Sequence, residues 1–162
     1  AAFVHRYFEY KRYRTQLAPT SGSMGYGLPA AIAAKLAHPT RAVVNFQGDG
    51  YFMMTGQELA TAVQYSLPIV TVVANNGVYG TIRMHQERDY PNRVVGTTLM
   101  NPDFAAYARS FGADGYTVEA TKDFAPAFGK ALQSGKPSII ELKIDPEAIS
   151  PRKTLSEIRE GR

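Results

Sequence analysis

Residues 69 to 74, Ile-Val-Thr-Val-Val-Ala, run almost without interruption through apolar and β-branched side chains and stop at Asn75-Asn76-Gly77. A strand with one wet face alternates in polarity, so a continuous run reads as a strand covered on both faces inside a parallel sheet. A second run, Arg41 to Gln47 around Val43, Val44 and Phe46, stops in the same way at Gly48-Asp49-Gly50. Parallel strands need crossover helices, and the sequence offers several. Pro29 suits a first helical turn, with Leu28, Ile32, Ala33 and Leu36 sharing one face up to about Ala37. Thr55 and Glu58 have the spacing of a capping box, which predicts a helix capped by Thr55 and running to about Tyr65. Further helices are expected over Tyr79 to Glu87, after an Asn101 cap with Pro102 first and Phe104, Ala108 and Phe111 inside, and after a Thr121 cap with Phe124, Phe128 and Leu132 inside. Tyr116 to Glu119 is a short strand, and Ile140, Leu142 and Ile144 alternate with Glu141 and Lys143 as an edge strand would. The fold class is therefore α/β, a three-layer sandwich on a mainly parallel sheet, with ligands at the carboxyl ends of the strands.

The 162 residues are 44% hydrophobic and 20% charged, which suits one globular domain and excludes a disordered chain. No run of about 18 apolar residues offers a membrane span. The absence of cysteine excludes a disulfide scaffold, a thiolate metal site and a cysteine nucleophile, and fits a cytoplasmic setting. Most of the +4 charge comes from Arg6, Lys11, Arg12 and Arg14 near the start, so no basic surface for nucleic acid is expected on the rest. Residues 1–20, aromatic and basic without a clean period, read as a linker from a missing upstream domain. Residues 21–144 form the folded domain, and 145–162 a charged tail over the surface. Ala1 opens the chain without an initiator methionine or an apolar leader core, as in a piece of something longer.

Sequential parallel strands would bring Gly48-Asp49-Gly50 and Asn75-Asn76-Gly77 to one edge of the sheet. Glycines beside Asp49 let backbone amides approach an anion, and a carboxylate with an amide oxygen makes a hard donor set suited to Mg²⁺. Magnesium prefers octahedral oxygen coordination shared with phosphate, so an ion bridging protein to phosphate is the natural reading. Taken singly, each triplet is also an ordinary turn.

Gly48-Asp49-Gly50, twenty-four residues, then Asn75-Asn76 together resemble the metal-diphosphate signature of thiamine-diphosphate-dependent enzymes. Gly22-Ser23-Met24-Gly25-Tyr26-Gly27-Leu28-Pro29 is similar to the segment upstream of it in the acetolactate synthase and pyruvate decarboxylase-like branch. The resemblance covers about residues 20 to 144 and implies the thiamine-diphosphate-binding fold, the carboxy-terminal domain of a longer enzyme. It implies Mg²⁺ on Asp49, the Asn76 side chain and the main-chain carbonyl of Val78. It places Gly48, Gly50, Tyr51, Tyr79, Gly80 and Thr81 around the diphosphate, and Gly22, Ser23, Met24 and Met54 around the rest of the cofactor, with Met24 wedged under its bend. Met53 and Met54 otherwise read as core residues that border the cofactor.

Typical acetolactate synthases carry Met and Trp where this chain has Thr81 and His85, which loosens any assignment to pyruvate. Arg83 and His85 are the candidates to meet a 2-oxo acid, a small-molecule substrate whose carboxylate suits a cation. The resemblance further implies a homodimer or tetramer and an activating glutamate on a neighbouring chain. None of Glu58, Glu87, Glu119 and Glu141 matches that glutamate, so no catalytic residue is assigned within this chain. Two other readings use parts of the same sequence: a non-catalytic Mg²⁺-phosphate or nucleotide module built on the same two turns, and a single-stranded nucleic-acid platform on the amino-terminal Arg and Tyr residues. The motifs of dinucleotide, P-loop and serine-hydrolase sites are missing.

Overall fold

A computed structural model describes residues 2–161. Strands β1 (Val43–Gly48), β2 (Ile69–Asn75), β3 (Asp114–Val118) and β4 (Ser138–Lys143) form one sheet in the order β1-β2-β4-β3, every neighbouring pair parallel. The apolar run explains the place of β2, because Ile69 through Val73 are all buried. Ile69 and Val73 pack with Ile139 against helices α2 (Gly27–Ala37), α4 (Leu59–Gln64) and α6 (Phe104–Ser110). Val70 and Val72 pack with Val118 and Ile140 against helix α7 (Thr121–Gln133) on the other face. Burying each such side chain contributes about 1.5–3 kcal/mol, so the run is far more stable between two helix layers than at an edge. The architecture is the expected three-layer α/β sandwich.

Several local expectations are corrected. The buried face of α2 is Leu28, Ala31, Ile32 and Lys35, while Ala33 and Leu36 are exposed; the Lys35 stem lies along the core and its Nζ reaches the Arg41 carbonyl at 2.6 Å. Thr55 precedes a 3-10 turn (Gly56–Glu58) that leads into α4, but its side chain makes no cap bond: its hydroxyl donates to the Gly25 carbonyl at 2.7 Å, and Glu58 accepts from Thr61 instead. Helix α6 is capped by Asp103, whose carboxylate accepts from the Ala106 amide at 2.8 Å, which frees Asn101 for another role. Thr121 lies inside α7 rather than at its cap, and Leu132 is exposed. Strand β4 is not an edge but sits between β2 and β3, and Glu141, which alternation reads as solvent-facing, is buried there against Asn75 of β2.

The ends also differ from expectation. A short helix, α1 (Ala2–Tyr7), occupies part of the segment read as a linker without helical period. The segment after residue 145 does not simply trail. Thr154 and Glu157 form a capping box that starts α8 (Leu155–Arg159), and α8 buries Leu155 and bonds Glu87 of α5 (Gly80–Asp89) through Arg159. Among the described residues, no helix is long and apolar enough to cross a membrane.

Candidate functional site

Strands β1 and β2 end level with one another, Gly48 beside Ala74, so both glycine-bearing turns leave the sheet at one edge. Asp49 does not sit in an open loop. It is the first residue of the four-residue helix α3 (Asp49–Phe52) and is only 2% exposed. Its Oδ1 accepts from the Gly50 amide at 2.9 Å, and its Oδ2 accepts from the Gly77 amide at 2.8 Å and Asn101 Nδ2 at 2.7 Å. One carboxylate thus ties both turns and the segment before α6 together. A buried carboxylate is tolerable where several N–H donors replace its water, which is the case here.

The second turn is equally constrained. Gly77 has φ +69°, a left-handed conformation that glycine adopts without a Cβ penalty. Asn75 Oδ1 accepts from the Gly77 amide at 3.2 Å and Asn101 Nδ2 at 2.9 Å, while Asn75 Nδ2 donates to Glu141 Oε1 at 2.6 Å. Asn76 Oδ1 accepts from the Val78 amide at 3.2 Å. Val78 bridges Thr98 through bonds made by its neighbours, Leu99 N–H to the Gly77 carbonyl and Tyr79 N–H to the Thr97 carbonyl, so the Val78 carbonyl takes no part in them. A Cβ on Gly50 would come within 2.5 Å of the Tyr79 ring, and one on Gly80 within 2.7 Å of Ile149. Both glycines are needed for that close packing.

The glycine-rich segment joins the same corner. Thr55 bonds the Gly25 carbonyl, and Met54 packs beside Gly25, which has φ +88°. Burial pushes the Tyr51 hydroxyl up from its ordinary value, offset by the Tyr26 and Gly27 amides at its oxygen. Gly22, Ser23 and Met24 are exposed beyond this junction, Met24 at 38%. Met53 and Met54 are exposed rather than in the core: they follow the end of α3, whose buried side is filled by Phe52. Gln47, one residue before Gly48, is buried with neither amide atom bonded.

Thr81, Arg83 and His85 lie on α5. Arg83 bonds Glu87 one turn along at 2.9 Å, and His85 and Thr81 are exposed. Among the described residues, neither Arg83 nor His85 bonds a member of the Asp49 cluster. Glu87 is 1% exposed and bonds Arg159, the Asn92 amide and Arg83. The Arg159 guanidinium, against the opposing effect of burial, holds its carboxyl down at about 2. Arg83 is therefore spoken for by a structural ion pair.

Asn101 and Glu141 were not legible as site residues. Asn101 resembled a helix cap and Glu141 the wet side of an edge strand; a second cap candidate two residues on, Asp103, was the available clue. Among the described residues, no group of three or more His, Cys, Asp or Glu could hold a metal. A cation at this corner would therefore draw on one carboxylate, an amide oxygen and a carbonyl, leaving further positions to an anionic ligand. Such a set fits Mg²⁺ with a diphosphate better than a metal caged by protein.

Residues 1–142 match the family described as thiamine pyrophosphate enzyme, C-terminal TPP binding domain. The chain belongs to this family. It is 43% identical over 136 residues to a putative thiamine pyrophosphate-containing protein, YdaP, of Bacillus subtilis, which covers 81% of this chain and 23% of that protein. It is 40% identical over 125 residues to the acetolactate synthase large subunit of Parasynechococcus marenigrum, covering 76% of this chain and 20% of that subunit. The thiamine diphosphate-dependent 4-hydroxybenzoylformate decarboxylase of Rhodococcus jostii superposes with a TM-score of 0.74 at 36% identity, over 78% of this chain and 24% of that one. The chain thus spans between a fifth and a quarter of the length of these relatives. As a TPP-binding domain of this family, it carries the parallel sheet whose carboxyl edge holds the Asp49 cluster.

Proposed function

We propose that this chain binds thiamine diphosphate through Mg²⁺ and serves as the diphosphate-binding domain of an enzyme that decarboxylates or ligates 2-oxo acids. The observation that carries the reading is the buried Asp49 carboxylate bridging the turns after β1 and β2, the second of which carries Asn76. In this reading Asp49, Asn76 and the Val78 carbonyl hold the ion. Gly48, Gly50, Tyr51, Tyr79, Gly80 and Thr81 border the diphosphate; Gly22, Ser23, Met24 and Met54 border the remainder. When bound, thiamine diphosphate supplies a nucleophilic carbon and a sink for the electron pair left as CO₂ departs. The chain's own contribution is to anchor and orient: Asp49 and Asn76 fix the metal, and the exposed Met24 is free to support the cofactor from one side.

The same reading makes residues 1–20 a connection to an upstream domain, 21–144 the binding domain and 145–162 an appended segment. It expects the activating carboxylate from another domain in a cytoplasmic homodimer or tetramer. The commitment of Arg83 to Glu87 leaves His85 as the exposed candidate for contact with a 2-oxo acid. Calorimetric titration with thiamine diphosphate and with ADP, each with and without Mg²⁺, tests it. Saturable binding of thiamine diphosphate that needs Mg²⁺, with ADP at least about tenfold weaker, is expected. Equal affinity for ADP would favour a general Mg²⁺-phosphate module instead.

A further inference from the structure

Glu141 is fully buried near the carboxyl end of β4, beside Val73 and Thr117 in register. Its Oε1 accepts from Asn75 Nδ2 and from Lys143 Nζ, each at 2.6 Å, and its Oε2 is buried without a partner. A carboxylate in a sheet interior is costly even when paired, and a leucine of similar volume would avoid that cost. Glu141 makes no bond to Asp49 or Asn76. What it does touch is Asn75, whose amide oxygen shares the Gly77 and Asn101 donors with Asp49.

An ionised carboxylate only accepts hydrogen bonds, whereas an asparagine amide has one donating and one accepting end. With its NH₂ drawn to Glu141, Asn75 presents Oδ1 to the Gly77 amide at 3.2 Å and to Asn101 Nδ2 at 2.9 Å. The Asn101 NH₂ group also donates to Asp49 Oδ2 at 2.7 Å, and the Gly77 amide donates to the same oxygen at 2.8 Å. Turned the other way, the Asn75 NH₂ would face two donors. Glu141 is thus the acceptor that, together with the Gly77 and Asn101 donors, fixes the polarity of the relay from β4 across β2 to the end of β1.

We propose that Glu141 is a positioning residue for the cofactor site: acting through Asn75, it holds the Gly77 turn and Asn101 against Asp49 and so sets the affinity for the Mg²⁺-diphosphate. This rests on the reading above, in which Asp49 and Asn76 are the ligands. Lys143, half exposed, balances the buried charge without entering the relay.

The test is calorimetry of thiamine diphosphate binding to the full chain in saturating Mg²⁺, on wild type, Glu141→Leu, Asn75→Ala and the double variant. Losing the acceptor leaves the Asn75 NH₂ without its partner and its side chain less firmly held, so Glu141→Leu should bind about tenfold more weakly than wild type. If Glu141 acts through Asn75, the double variant should bind no more weakly than Asn75→Ala alone. A Glu141→Leu variant within about twofold of wild type, or a double variant in which the two losses multiply, overturns the proposal. Absence of binding by wild type would instead refute the functional reading itself. Should Glu141→Leu fail to fold by circular dichroism, Glu141→Gln replaces it, because its amide can present either end to Asn75. Weaker binding, together with a shifted Asn75 side-chain NH₂ signal in the ligand-free NMR spectrum, then supports the proposal. Affinity and signal both matching wild type overturn it.

Discussion

Asn101 and Asp49, 52 positions apart in sequence, meet at 2.7 Å at the carboxyl edge of the sheet. The bond fastens the segment before α6 to the end of β1, and Asn101 reaches Asn75 from the same nitrogen. Asn101→Ala should leave Asp49 and Asn75 each short of a donor and weaken Mg²⁺-dependent binding of thiamine diphosphate by about tenfold, with a modest loss of melting temperature. Titration calorimetry beside thermal melts checks it; unchanged affinity would mean the bond plays no part in the site.

Asp49 is more deeply embedded than a loop carboxylate. Asp49→Ala removes the acceptor of three N–H groups and should lower stability by about 1–3 kcal/mol as well as abolishing Mg²⁺-dependent binding. Asp49→Asn keeps the shape and should lose the metal dependence with a different stability, since its NH₂ must face donors already there. Denaturant unfolding of both variants, paired with calorimetry, separates the two effects.

The Glu87 carboxyl gives a pH dependence with a definite sign. Its value falls from 4.5 to about 2 on folding, chiefly through Arg159, so the folded state favours the ionised form. The stability it contributes is fully present above pH 4.5 and is lost as the pH falls towards about 2. Arg159→Met should destabilise the chain at pH 7, release α8 from α5 and flatten the acid limb of the stability profile. Denaturant melts from pH 7 to pH 2.5 read the slope; an unaltered profile in the variant would count against the pair.

Two glycines make opposite predictions. A Cβ on Gly115 would overlap the Ala105 carbonyl, so Gly115→Ala must push α6 off β3 and should cost at least about 3 kcal/mol. Gly129 lies inside α7 with nothing within 4 Å of a Cβ, so Gly129→Ala should stabilise by about 0.5–1 kcal/mol. Thermal unfolding of both variants gives the comparison directly.

Much of this was legible in the chain because hydrophobic period reports burial. The unbroken run at Ile69 to Val73 placed β2 inside a parallel sheet, and two sequential strands stopping at Gly48 and Asn75 placed two turns at one edge. Caps were less legible. Thr55 and Asn101 each had a competing partner or a rival cap nearby, and only the three-dimensional neighbours decide between them; Thr121 instead falls one residue inside α7, after Ala120. Glu141 looked solvent-facing because alternation cannot distinguish water from a buried amide as the partner of a carboxylate. The ion pair of Glu87 with Arg159, 72 positions apart, carried no local signal at all.

In the proposed site, Asp49 and Asn76 hold a divalent ion that anchors the diphosphate of thiamine diphosphate. A crystal structure of the chain with thiamine diphosphate and Mn²⁺ in place of Mg²⁺, with the ion located by anomalous scattering, tests it most directly. One anomalous peak is expected, in contact with the Asp49 carboxylate, the Asn76 amide oxygen and the diphosphate. A diphosphate bound elsewhere, or a peak touching neither side chain, would contradict it.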